Sequence, residues 1–198
     1  MKLILRSIFY MPGVIIHELS HHFCCIIFKA KVKDVCYYNL RDSSGYILHE
    51  RPKHLYQDVL ISTAPFFLNS FLGALVAYPT IVNKLSILGL VSLNYQDIFW
   101  IIISISIGMN AIPSKGDGLS IWNSVGDCDM NFFLKLLAYI IITPLILMIF
   151  LINYGSSYLK IDLLYGFCVC FIGANLIAYI VHLDIAQKLI KILLNINF

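Results

Sequence analysis

Met11-Pro12-Gly13-Val14-Ile15-Ile16-His17-Glu18-Leu19-Ser20-His21-His22-Phe23-Cys24-Cys25-Ile26-Ile27-Phe28 decides how the chain is read, because it sets the pattern H-E-x-x-H inside a segment apolar enough to lie in a membrane. On a helix, His17 and His21 stand one turn apart on the same face, so both imidazoles can reach one zinc ion. Glu18 lies beside them, where it can take a proton from water at the metal. Three fixed residues in this pattern recur by chance in roughly 2–3% of chains of this length, and less often in apolar segments, where His and Glu are costly. The plainer reading of the same residues is a polar cluster that packs or lines a cavity.

Composition sets the class. Of 198 residues, 60% are hydrophobic and 13% charged, and the mean hydropathy is +0.83, more apolar than a soluble core requires. The chain reads as an integral membrane protein with the lipid bilayer as its first partner. Its net charge of +3 comes from 14 basic and 11 acidic residues that form no basic stripe with interleaved aromatics, so nucleic acid is not an expected partner. Cys24, Cys25, Cys36, Cys128, Cys168 and Cys170 contain no C-x-x-C pair and read as small packing residues.

The expected fold is all-α with about five transmembrane helices, at residues 3–28, 55–82, 98–112, 132–154 and 163–182. Lys2 and Arg6 before an apolar stretch resemble a signal peptide, but a cleavable segment would not carry His17, Glu18, His21 and His22, so it is retained as the first helix. Residues 85–93 are too short a run to cross alone and are expected at the interface or leading into the third helix. Residues 185–198, with Lys188 and Lys191 among apolar neighbours, read as an amphipathic tail. Between the first two helices, Lys33–Tyr38 and Gly45–His49 flank Asp42-Ser43-Ser44-Gly45 and read as a short β-hairpin. Lys29, Lys31, Lys33, Arg41, Arg51 and Lys53 gather in that loop, which places it and the tail in the cytoplasm, with Lys160 opposite.

A catalytic zinc site normally takes three protein ligands. His22 is about 100° around the helix from His21 and faces away. Cys24 shares the face of His17 and His21, but one straight helix cannot wrap three successive turns around a tetrahedral ion. Asp97 belongs at the far end of its span, and Asp127 and Asp129 fall in a solvated turn. Asp117 is best placed, since Pro113 and Gly116 break the third helix just before it and let it turn into the bundle. Its alternative role is as helix N-cap for residues 118–125, and the two roles are compatible.

With these residues in view, the sequence resembles the site-2 protease family of intramembrane zinc metalloproteases. The family's first motif stands as His17-Glu18-Leu19-Ser20-His21, and its second as Asn110-Ala111-Ile112-Pro113-Ser114-Lys115-Gly116-Asp117-Gly118, with Gly116 where the family usually has leucine. Thr63-Ala64-Pro65-Phe66-Phe67-Leu68-Asn69 is similar to its small-Pro-x-x-Asn element. The resemblance covers about the first 125 residues. It implies a metalloprotease core over 1–125, with two further helices and the tail over 126–198. It also implies one Zn2+ per chain on His17, His21 and Asp117, with Glu18 as general base and Asn110 holding the substrate. Asn69 would contact substrate too or, on the plainer reading, tie helices together. The family has a β-structured loop dipping toward the active site where the hairpin is expected, and an edge strand there would pair with an unwound substrate. The implied activity is zinc-dependent endopeptidase cleavage of transmembrane or membrane-proximal segments of other membrane proteins, in the cytoplasmic membrane of a prokaryote with the site opening to the cytoplasm. Two other readings stand beside it: an inactive pseudoprotease with a binding or regulatory role, and a divalent-metal transporter, against which the absence of internal repeats speaks.

Overall fold

The computed structural model describes residues 2–84 and 93–182; the proposed amphipathic tail, and residues 85–93 apart from Leu93, lie outside them. The chain is mostly helical. It runs α1 (Lys2–Phe28), β1 (Val32–Asn39), β2 (Ser44–His49), α2 (Leu55–Lys84), α3 (Tyr95–Met109), α4 (Lys115–Asp127), α5 (Phe132–Leu159), α6 (Ile161–Cys168), a π turn (Val169–Gly173) and α7 (Ala174–His182).

Four segments are long and apolar enough to cross a membrane: Ser7–Phe28, Leu55–Asn83, Phe132–Leu159 and Ile161–Val181. The third expected span is instead the 15-residue α3, which Asn94 and Asp97 start with a capping box and which stops at Met109. The fourth expected span is five residues longer than the sequence suggested, because Gly155, Ser156 and Ser157 continue the helix until Lys160 turns left-handed at φ 54°.

Sequence explains how closely α1 and α3 pack. Pro12 has no N–H to give, which loosens the first half of α1. Into that opening comes Ser106 of α3, whose hydroxyl accepts the Gly13 N–H at 3.1 Å and donates to Phe9 O, one turn back, at 2.6 Å. The approach needs a residue without a side chain at position 13: a Cβ there would stand 1.9 Å from Ser106 O and 2.4 Å from Asn110 Nδ2.

Two apolar clusters flank the middle of the bundle. Ala77, Ile81, Ile105, Cys170 and Ala174 join α2, α3, the π turn and α7, while Ile121, Val125 and Ile142 join α4 to α5. The outer face of α5 shows Leu136, Ile140, Ile141, Leu147, Met148 and Leu151, as a lipid-facing surface should.

The hairpin is antiparallel, with Val35 opposite Ile47 and Cys36 opposite Tyr46, and its register slips between Cys36 and Asn39. It does not stand off from the bundle. Near the carboxyl end of α1, His22 Nδ1 and the Tyr37 hydroxyl are 2.5 Å apart, and near the amino end the Tyr38 hydroxyl donates to Ser7 O at 2.5 Å. Ser7 and Ser43 join their hydroxyls at 2.7 Å. The tip, with Arg41 and Asp42, therefore lies about 22 Å along α1 from His22, at 1.5 Å per residue. This departs from the sequence expectation that grouped Arg41 with Lys29, Lys31 and Lys33. Lateral partners on α1, which a local pattern does not reveal, lay the hairpin along the helix.

Because Gly13 and Ser106 set the distance between α1 and α3, Gly13→Ala is expected to lower stability by about 1–3 kcal/mol through overpacking. Thermal unfolding of the detergent-solubilised protein measures it, and an unchanged midpoint would contradict the close approach.

Candidate functional site

The middle of α1 meets the end of α3 and the start of α4. His17 Nδ1 lies 2.7 Å from Asn110 O, and His21 Nδ1 lies 2.8 Å from Ile61 O. A carbonyl can only accept, so each ring carries a proton on Nδ1, and in the neutral imidazole this leaves the Nε2 lone pair free for a metal. Those two Nε2 atoms face each other at 3.1 Å. With both rings neutral in this tautomer, lone pair faces lone pair, an arrangement that a cation between them relieves.

Asp117 closes the triangle. Its Oδ1 is 3.3 Å from His21 Nε2, and its Oδ2 is 3.8 Å from His17 Nε2. Ligands bonded at 2.0–2.1 Å to a tetrahedral ion sit about 3.3–3.4 Å apart, so the donor set suits zinc, with the two spacings at His21 close to that value and the one between His17 and Asp117 wider. One atom from each of the three residues falls within 4.8 Å of the others, and no further group of three such residues does so among the described residues.

Local sequence holds the carboxylate there. Ser114, not Asp117, is the N-cap of α4: its hydroxyl accepts Asp117 N–H at 3.2 Å, while Asp117 Oδ2 accepts Ser114 N–H at 2.6 Å. Asp117 is the third residue of a capping box, so one side chain anchors the helix start and faces the histidines.

Glu18 is buried, at 7% exposure, and lines two cavities that meet beside it. The first, about 390 Å³, is walled by His17, His21, Asp117 and the residues Gly45 to His49 of β2. Since β1 occupies one edge of β2, the other edge is unpaired among the described residues, and Gly45 to His49 line the cavity. Gly45 is the point of contact: a Cβ there would lie 2.5 Å from Glu18 Cγ and within 2.9 Å of the Tyr37 and Cys36 carbonyls. Tyr46 donates its hydroxyl to Asp34 Oδ2 at 2.9 Å, and that hydrogen bond, with the charge behind it, holds the phenol pKa above its usual value.

Asn110 and Asn69 are placed differently. Asn110 lines the second cavity, and its carbonyl receives both His17 and Asn69 Nδ2, the latter at 3.2 Å. Asn69 is fully buried; its amide also points at Gly13 O and Ile107 O, its carbonyl accepts from Ser20, and it lines neither cavity. Of the other candidate ligands, His22 pairs with Tyr37, Asp97 caps α3, and Asp127 pairs with Arg51 at the far end of α4. Cys24 is not in the cluster.

Sequence reasoning passed over Asp58. It is 1% exposed and accepts hydrogen bonds from Ser120 and Ser124, tying α4 to α2 one turn before the Ile61 carbonyl that orients His21. An aspartate inside an apolar span was the signal for it. No protein-family model, no curated protein and no solved structure matches the chain.

Because a side chain at Gly45 would collide with Glu18, Gly45→Val should lift the hairpin from α1. Amide hydrogen exchange in β1 and β2 should accelerate while that of α1 to α3 stays slow. Unchanged protection of β2 would show that the contact tolerates a side chain.

Proposed function

We propose that the chain is a zinc-dependent intramembrane endopeptidase, a minimal relative of the site-2 proteases, that cleaves transmembrane or membrane-proximal segments of other proteins. The observation that carries the reading is the pair of His17 and His21 Nε2 atoms 3.1 Å apart, facing a carboxylate that is itself anchored to a helix start. His17, His21 and Asp117 would hold the zinc. When bound, zinc supplies Lewis acidity, bringing the pKa of a water toward neutrality and polarising a carbonyl. Glu18 takes the proton of the attacking water and hands it to the leaving nitrogen, the role that suits a carboxylate beside the ligands and on the walls of both cavities.

The free edge of β2 gives a substrate its backbone partners. A transmembrane helix must unwind before its carbonyls can be attacked, and strand addition replaces the hydrogen bonds it loses. Asn110, on the second cavity wall, is placed to touch the same segment, whereas the hydrogen bonds of Asn69 support its role as a tie between α1, α2 and α3. Lys29, Lys31, Lys33, Arg51 and Lys53 follow α1 in sequence, and Arg51 lines the first cavity, which favours a cytoplasmic opening by the positive-inside rule. In a prokaryote this would be the cytoplasmic membrane.

Purified protein is expected to hold about one zinc per chain, and His17→Ala or His21→Ala to lose it. Metal analysis of the purified variants measures this, and full zinc in both would remove the site.

Glu18→Gln should keep the zinc and lose cleavage, whereas Asp117→Asn should lower both, although asparagine can still accept the Ser114 N–H. An active, zinc-loaded Asp117→Asn protein would restrict Asp117 to helix capping. Activity in Glu18→Gln would exclude the hydrolytic mechanism.

A further inference from the structure

We propose that the second cavity is a subsite for a cationic side chain of the substrate, with Asp162 as the residue that receives a lysine ammonium or arginine guanidinium. The inference rests on the peptidase reading for the nature of the ligand, and otherwise on the cavity itself. That cavity, about 280 Å³, lies between α1, the end of α3 and the junction of α5 with α6, and it shares His17, Glu18, Gly45 and Ser114 with the first. A segment crossing the site would leave one cavity, pass Glu18 and enter the other.

Amide donors on the cavity wall are already committed. Asn153 sends its side-chain N–H groups to Pro113 O at 2.9 Å and Ile149 O at 2.8 Å, and Asn110 sends its own to Ser106 O at 2.8 Å. Asp162, by contrast, has no hydrogen bond or ion pair to its carboxylate from any described residue, and its Oδ1 is buried without a partner. No Lys or Arg lines the cavity among the described residues. Asp162 is half-buried, and its closed-off Oδ1 has given up water without gaining a partner, so the complement of that oxygen is a group the ligand brings.

Helix capping does not account for Asp162. Although it stands in the first turn of α6, that turn has no side-chain cap, and Asp162 contributes only its backbone N–H, to Ser156 Oγ at 3.1 Å. The left-handed turn at Lys160 and this bond to Ser156 bring the first turn of α6 to the cavity. Charge also distinguishes the two ends of the cleft: the first cavity sets Arg51 and His49 alongside Asp117, whereas the second has Asp162 and no Lys or Arg among the described residues. The cation belongs at the second.

Binding is read with full-length Glu18→Gln protein in detergent, using fluorescent leucine-alanine peptides of about 20 residues, each with one central Lys, norleucine or Glu. The Lys peptide should bind at least about tenfold more tightly than the norleucine peptide, the gain expected of a charge-assisted hydrogen bond. Adding Asp162→Asn should erase that preference, Asp162→Glu should keep it, and Asp162→Lys should transfer it to the Glu peptide. Affinity for the norleucine peptide reports an intact cleft in each variant. A Lys preference that survives Asp162→Asn, or is absent with Asp162 in place, overturns the proposal. The peptidase reading fails separately, through lack of zinc or of cleavage by the wild-type chain, and a Lys preference in binding would then still stand.

Discussion

A helix that ends inside an apolar bundle leaves carbonyls that lipid cannot satisfy, and the site is organised around this constraint. α3 stops at Met109, level with the middle of α1. Its terminal carbonyls find donors in neighbouring helices: Asn69 of α2 reaches Ile107 O and Asn110 O, and His17 of α1 reaches Asn110 O. The bond that finishes α3 is thus the bond that fixes the His17 tautomer. Ile61 O on α2 does the same for His21, at a point where Thr63 and Pro65 follow within the helix. A ligand geometry and a helix terminus are solved by one set of hydrogen bonds.

Asp117 extends the same economy to α4. In a capping box the third residue returns a bond to the N-cap N–H, and here Oδ2 makes that bond while Oδ1 faces His21. The helix start fixes the carboxylate, and Asp58 fixes the helix through Ser120 and Ser124. Mutations at Asp58 should therefore be felt at Asp117 through the placement of α4, without any contact between them.

Much of this was legible in the chain. The i, i+4 spacing of His17 and His21 places two donors on one face whatever surrounds them, and Pro113 with Gly116 marks where a helix must break near Asp117. The apolar runs that became α1, α2 and α5 were long enough to declare themselves, and the turn residues Asp42 to Gly45 announced a hairpin. The end of α3 was less visible, because Asn110, Ala111 and Ile112 continue an apolar pattern and only the partners of their carbonyls show that the helix has stopped. The N-cap at Ser114 was hidden by the more conspicuous Asp117. The direction of the hairpin depends on Ser7, His22, Tyr37 and Tyr38, residues up to 36 positions apart whose pairing no local window contains.

The hairpin also constrains how the molecule is built. Its tip carries Arg41 and Asp42 beside Ser7, at the opposite end of α1 from Lys29, and a lone charged loop entering a bilayer costs about 2.5–3.5 kcal/mol per charged residue at the centre. Two unaccompanied strands could not bear that, since a single hairpin is marginal even in water. Its partners are Ser7 and His22, both on the helix synthesised just before it. The hairpin's place in the structure therefore depends on α1, which supplies Ser7 and His22 as its partners. Moved beside a helix without those two residues, the hairpin would lose the bonds that lay it along its neighbour.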